Sequence, residues 1–285
     1  MPRSFNRTPS STPSSSRRAG GLSRARAQPG SASFKRWAVL GALLGASGAL
    51  VCFAPAAWLA TGVASASRGH VLLADARGTV WQGSAQLVLT GGAQSNDATA
   101  LPQRLQWQLR PTLAGLRGHV LPECCSKQPA LMAVQAQWGG ATLRVSDFQM
   151  NLPAQLLSGL GTPWNTLSPQ GQLALASPSF SVDYRQGRAV FDGSATLDML
   201  DISSRLSTLR PLGDYRLSLT GGAAPTMQLQ TLQGALQLSG SGQWVGSRMR
   251  FSGEASAAPE REAALTNLLN IIGRRQGAKS LISVG

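Results

Sequence analysis

The chain has 285 residues, 42% of them hydrophobic, and a formal net charge of +14, which is enough apolar material for a sizeable core and excludes a wholly disordered protein. The charge does not mark a nucleic-acid binder. Residues 1–36 hold eight Lys/Arg and no acid, whereas the remainder carries eighteen basic against twelve acidic residues, scattered singly and without interleaved aromatics.

Residues 1–36 are rich in Ser, Arg, Pro and Gly and are expected to be a disordered basic tail. The run WAVLGALLGASGALVCFAPAAWL, residues 37–59, follows without a charge. At 1.5 Å per residue, about 20 apolar residues cross a hydrocarbon core, so this run is expected to be one transmembrane helix. Lys35 and Arg36 abut its start and only Arg68 follows closely, which puts the N-terminus in the cytoplasm and residues 60–285 across the membrane in a single-pass topology. A cleaved signal peptide is the competing reading, since Ala64-Ser65-Ala66 fits the cleavage pattern, but the apolar run exceeds the usual signal length.

Beyond residue 68 the texture is one of short strands. In RLQWQLR, Leu105, Trp107 and Leu109 alternate with polar residues, and GQLALAS, SFSVDY, SATLDM, DYRLSLT, TMQLQT and GALQLSG repeat that period of two. Clusters such as TGGAQSND and TGGAAP separate them with turn chemistry. No helices alternate with the strands, so the fold class expected is mainly β: a curved antiparallel meander of about ten strands after one transmembrane helix. Two segments break the rhythm. PAQLLSGLGTPWNTL is expected to form a short helix and loop with Trp164 packed. PEREAALTNLLNIIGRR reads as a C-terminal helix with Pro259 in its first turn, Leu265, Leu268, Leu269 and Ile272 as the stripe, and Gly273 with Arg274 and Arg275 at its close. LISVG adds a final strand.

One short motif recurs. Trp81-Gln82-Gly83, Trp138-Gly139-Gly140 and Trp244-Val245-Gly246 each place a tryptophan two residues before a glycine, ahead of an alternating run. Gly78 and Gly83 permit turns or close backbone approach, and Trp81 offers a large apolar surface on the first strand beyond the anchor. Repetition favours a structural strand-turn element over a ligand site.

Catalytic chemistry has no visible carrier, and the chain is read as a non-enzyme without cofactor or metal. There are two histidines, His70 and His119. His119 stands near Glu123, Cys124 and Cys125, but adjacent cysteines lack the spacing that wraps sulfurs around zinc. Cys124 and Cys125 are left as a possible vicinal disulfide or as small buried residues in a loop. No nucleophile elbow, phosphate loop or zinc-helix motif occurs. Asp198 and Asp201 read as solvated strand-end positions.

The order of parts, with Gly78, Trp81 and Gly83, the LQW of Leu105 to Trp107, the SPQGQL of Ser168 to Leu173, and Leu268 to Arg274, resembles the type II secretion system protein N family, also called general secretion pathway protein N. The resemblance implies a bitopic inner-membrane protein with a periplasmic domain, an accessory part of the apparatus that exports folded proteins across the outer membrane. Its implied partners are other inner-membrane and periplasmic secretion subunits. A texture similar to AsmA-like proteins leaves a lipid-binding or lipid-transport module as the alternative.

Overall fold

The computed structural model describes residues 31–126, 128–185, 188–245 and 248–285. Residues 1–30 of the expected disordered tail and Gly246 lie outside the described residues. The chain divides into two compact units, residues 1–49 and 50–285.

The expectation of a single helix over 37–59 is corrected. Helix α1 spans Ser31–Cys52 and a second helix, α2, spans Ala56–Ala66. Pro55 divides them with extended backbone (φ −67°, ψ 145°), because proline lacks the amide hydrogen a helix needs and its ring disfavours helical backbone in the residue before it. No helix among the described residues is long and apolar enough to cross a membrane. Trp37, Leu43 and Leu44 of α1 are exposed, as are Leu50, Val51, Phe53 and Trp58 at the break between the helices.

The rest is one antiparallel sheet, with fourteen strands among the described residues rather than about ten. They are β1 Val71–Gly78, β2 Gln82–Thr90, β3 Ala98–Thr112, β4 Gly115–Pro122, β5 Ala130–Gln137, β6 Gly140–Pro153 and β7 Gln170–Arg185. There follow β8 Arg188–Ser203, β9 Gly213–Thr220, β10 Thr226–Gly234, β11 Leu236–Val245, β12 Arg248–Ala257, β13 Arg274–Gln276 and β14 Lys279–Val284. Every strand through β12 pairs with its sequence neighbours, and only β14 departs from the order by inserting between β12 and β13.

Directly opposed residues on antiparallel strands share a face. The register therefore collects Met150, Leu175, Leu197, Leu217 and Leu229 into one row, with Phe148, Ala195, Leu219 and Met227 on the same face. The opposite face carries Asn151, Asp198, Arg216, Gln230, Ser239 and Glu254. Keeping the apolar set on one face requires a correction of phase inside β6 and β7. GQLALAS and SFSVDY, read from sequence as two strands, are halves of β7, and Ser177 and Pro178 bulge against β8 between them. Asp147, with φ +44°, stands opposite that bulge and shifts β6 in the same way. Each extra residue flips the alternation, so Phe180 and Val182 face with Leu173 and Leu175.

Three buried clusters lie along the sheet. Ala56 of α2 packs on Ala85 and Trp107. Leu101, Cys125 and Leu156 form the second, with Leu156 supplied by a 3-10 helix, Ala154–Leu160. It is followed by a single turn, α3, Trp164–Leu167, where Trp164 is exposed rather than packed. The third cluster sits under α4, Glu262–Ile272, whose Leu265, Leu268 and Leu269 bury on Leu212, Tyr215, Leu236 and Ala255. The tyrosine hydroxyl donates to the Leu236 carbonyl at 3.1 Å. Pro259 lies in a turn ahead of α4, because Glu260 takes a left-handed φ of +66° that no helix admits. Arg274 and Arg275 open β13 instead of closing the helix.

Candidate interaction surface

In a meander, successive hairpin turns fall alternately at the two ends of the sheet. The turns β1–β2, β3–β4, β5–β6, β7–β8, β9–β10 and β11–β12 therefore share one end. All three Trp-x-Gly motifs are found there, in three different surroundings.

Trp81 lies in the β1–β2 turn, not on a strand, and is half-buried. Its indole nitrogen donates to the carbonyl of Val51 at 2.7 Å, while its own carbonyl accepts from the amide of Leu109 at 2.6 Å. The same turn is stitched to the break between the helices by an amide of Val80 donating to Ala54 at 2.9 Å and by a bridge between Pro55 and Thr79. Beneath it, Trp107 is 4% exposed and donates to the carbonyls of Val80 and Thr79 at 3.1 and 3.3 Å. Gly83 makes this approach possible, since a Cβ there would stand 2.5 Å from the Trp107 ring. Gly78, with φ +89°, turns the chain out of β1. Arg104 adds a polar tie, donating to the Asp75 carboxylate and carbonyl at 2.8 and 2.6 Å and to Ser84. With Arg77 also donating, the Arg104 guanidinium holds the Asp75 carboxyl below its ordinary range.

Trp138 is 106% exposed at the tip of the β5–β6 hairpin, so it supplies no packing to the sheet. Trp244 ends near the β11–β12 turn, where its ring meets that of Phe191 edge-on at a centroid distance of 5.2 Å; Phe180 stacks behind at 6.0 Å. The three rings lie on the apolar face at that end.

At the opposite end, Cys124 and Cys125 are joined by a disulfide. The β4–β5 loop that carries the bridge fills a gap where β4 and β5 stop short of β3 and β6. The carbonyl of Cys125 accepts from the amide of Asn151 at 2.6 Å, and Ser126 Oγ donates to Gln149 at 2.8 Å. Beside it, a groove of about 670 Å³ runs over the polar face past Gln149, Asn151 and Thr196 to Asp198. Asp198 is not a strand-end residue. It lies inside β8 and accepts from Arg216 Nε and Nη2 at 2.6 and 2.7 Å, which lowers its pKa. Asp201 is exposed in a left-handed bulge with φ +52°. His70 Nδ1 lies 3.2 Å from the Thr90 carbonyl and His119 stands on β4, and no metal-binding group of His, Cys, Asp or Glu occurs among the described residues.

These features define a protein built on one antiparallel meander sheet, with α2 packed on Ala85 and Trp107 and α4 on Tyr215 and Leu236. The family described as type II secretion system (T2SS), protein N, matches residues 69–281. The chain belongs to that family. No curated protein and no solved structure matches the chain. Of the matching points named from sequence, Gly78, Trp81, Gly83 and Leu105 to Trp107 fall at or beside the junction with α2, Ser168 to Leu173 run from the end of α3 into β7, and Leu268 to Arg274 close α4 and open β13.

Proposed function

We propose that the chain is a non-catalytic accessory component of the type II secretion pathway, held at the inner membrane by its apolar helices. The basic N-terminal segment faces the cytoplasm and the sheet lies in the periplasm, where it contacts other secretion subunits during export of folded proteins. The observation that carries this reading is the uncovered middle of the apolar face. Leu143, Val145, Val182, Leu197, Leu217 and Leu219 are half-buried and belong to none of the three buried clusters. A long, uncharged strip of this kind between two helix-covered ends offers a partner chain apolar contact without any distinctive chemistry. The exposed apolar side chains of α1 and of the break after it support membrane attachment.

The test is crosslinking in the native membrane followed by mild solubilisation. Recovery with inner-membrane secretion subunits is expected, and recovery only as an isolated monomer would refute the reading. A Leu197→Glu/Leu217→Glu variant is expected to lose those crosslinks. A second reading, a lipid-binding module, is favoured by the same strip because nothing charged interrupts it. Native mass spectrometry of the full chain released from detergent distinguishes the two, since bound phospholipid retained in the wild type and lost in the double variant belongs only to the lipid reading.

A further inference from the structure

Two hairpin tips stand beside each other at the sheet end where Trp81 holds Val51. Leu113 in the β3–β4 turn is 112% exposed and Trp138 in the β5–β6 turn is 106% exposed, values that mean no neighbour shields either side chain. An amide of Ala136 donating to the Ala114 carbonyl at 2.9 Å fixes these two turns side by side. Exposed Val51 and Phe53 lie at the same end, carried by the segment bonded to the β1–β2 turn. Set back from the tips is a row of exposed arginines. Arg110 and Arg117 are directly opposed across β3 and β4, and the register continues through Ala133 to Arg144. None of the three has a carboxylate within ion-pairing distance among the described residues. Like charges placed directly opposite one another on a sheet destabilise it unless something negative lies against them.

We propose that this end of the sheet is a second membrane contact: Leu113 and Trp138 enter the interface of an anionic phospholipid bilayer and the Arg110, Arg117, Arg144 row binds lipid phosphates. The inference rests on the attachment of the chain to the membrane proposed above. The dimensions agree. Arg110 precedes Leu113 by three residues, roughly 10 Å at the rise of a strand. A headgroup layer is roughly 5–8 Å thick on each side of the hydrocarbon, and an arginine side chain reaches back across the difference. Tryptophan favours that layer because its ring is apolar and its N–H is polar. A protein partner with an acidic surface is the rival occupant. The lipid is favoured because the exposed apolar segment Val51–Phe53, fastened through Trp81 and Val80 to this end of the sheet, brings it to the membrane regardless of any partner.

The experiment uses the full chain in nanodiscs of phosphatidylethanolamine and phosphatidylglycerol carrying brominated acyl chains, which quench tryptophan. Differences between the wild type and Trp37→Phe, Trp58→Phe and Trp138→Phe isolate the three contributions. Expected are quenching of all three, with the Trp138 contribution falling at least about twofold. That quenching should be lost in phosphatidylcholine discs and in an Arg110→Gln/Arg117→Gln/Arg144→Gln variant of unchanged melting temperature. Quenched Trp37 and Trp58 with unquenched Trp138 overturns the proposal while leaving membrane attachment intact, and so does shielding of Trp138 by a co-purifying protein instead. Failure of all three to quench overturns attachment and the proposal together. Quenching of Trp138 that ignores both lipid charge and the arginines overturns the phosphate row.

Discussion

Trp107, Trp81 and Trp138 are the same residue type in three energetic situations, and the differences set what each substitution does. Trp107 is sealed between α2 and the sheet with its N–H paired, so Trp107→Ala removes packing and leaves two carbonyls without their donor. A loss of about 3–5 kcal/mol is expected in chemical denaturation of the full chain. Trp81→Ala removes one hydrogen bond and half a buried surface, and the expected loss is nearer 1–2 kcal/mol. Gly83→Ala places a Cβ 2.5 Å from both the Arg77 carbonyl and the Trp107 ring, and an expected cost of about 1–3 kcal/mol is checked by the same denaturation curves. Asp198 provides a pH signature. Arg216 lowers its pKa, so the pair contributes stability above the ordinary carboxyl value of 3.8 and that contribution is lost as the pH falls through the folded value. Arg216 is 41% exposed, so solvent screening keeps the contribution small. Asp198→Asn is expected to melt below the wild type near neutral pH and with it in strong acid.

At the scale of the element, α4 is the clearest case of a helix that exists because of what it covers. Leu265, Leu268 and Leu269 are all but inaccessible, and Leu265→Ala is expected to cost about 2–5 kcal/mol, read as a lowered denaturation midpoint. That stripe was legible in the sequence, because three and four residue spacing survives whatever the helix packs against. The alternation in RLQWQLR, DYRLSLT and TMQLQT was legible for the same reason. Two of the strands not named from sequence have a broken alternation: VLLADARG carries a left-handed Asp75, and RGHVLP carries a glycine where an apolar residue belongs. β7 was split in two because an extra residue at Pro178 reverses the phase, and a period of two cannot distinguish a bulge from a turn. The Trp-x-Gly repeat was visible, but its common location was not. Only the strand order places Trp81, Trp138 and Trp244 at one end of the sheet. Deleting Pro178 tests the bulge. It would send Leu173 and Leu175 to the polar face, and the expected result is loss of the cooperative unfolding transition.

At the scale of the whole molecule, helices pinned at Trp107 and under α4 leave the strip between them open, and it is there that the type II secretion protein N role is expected to be exercised. A Leu197→Glu/Leu217→Glu chain should keep its melting temperature within a few degrees, since neither residue belongs to a buried cluster, yet fail to support exoprotein release in a strain dependent on it. Unimpaired release with the variant folded would move the function off the strip.

The strand order has a consequence in time. A sheet in which nearly every partner is the preceding strand has little loop-closure entropy to overcome, so it can be laid down from the N-terminal side while later residues are still emerging. Each new hairpin finds its template already in place, beginning at the corner where Pro55 meets Thr79. The single exception is β14, which slots between β12 and the already synthesised β13. The growing edge therefore stays open until β14 is delivered, and the three-residue β13 with its two arginines then becomes a short, positively charged border that resists further strand addition.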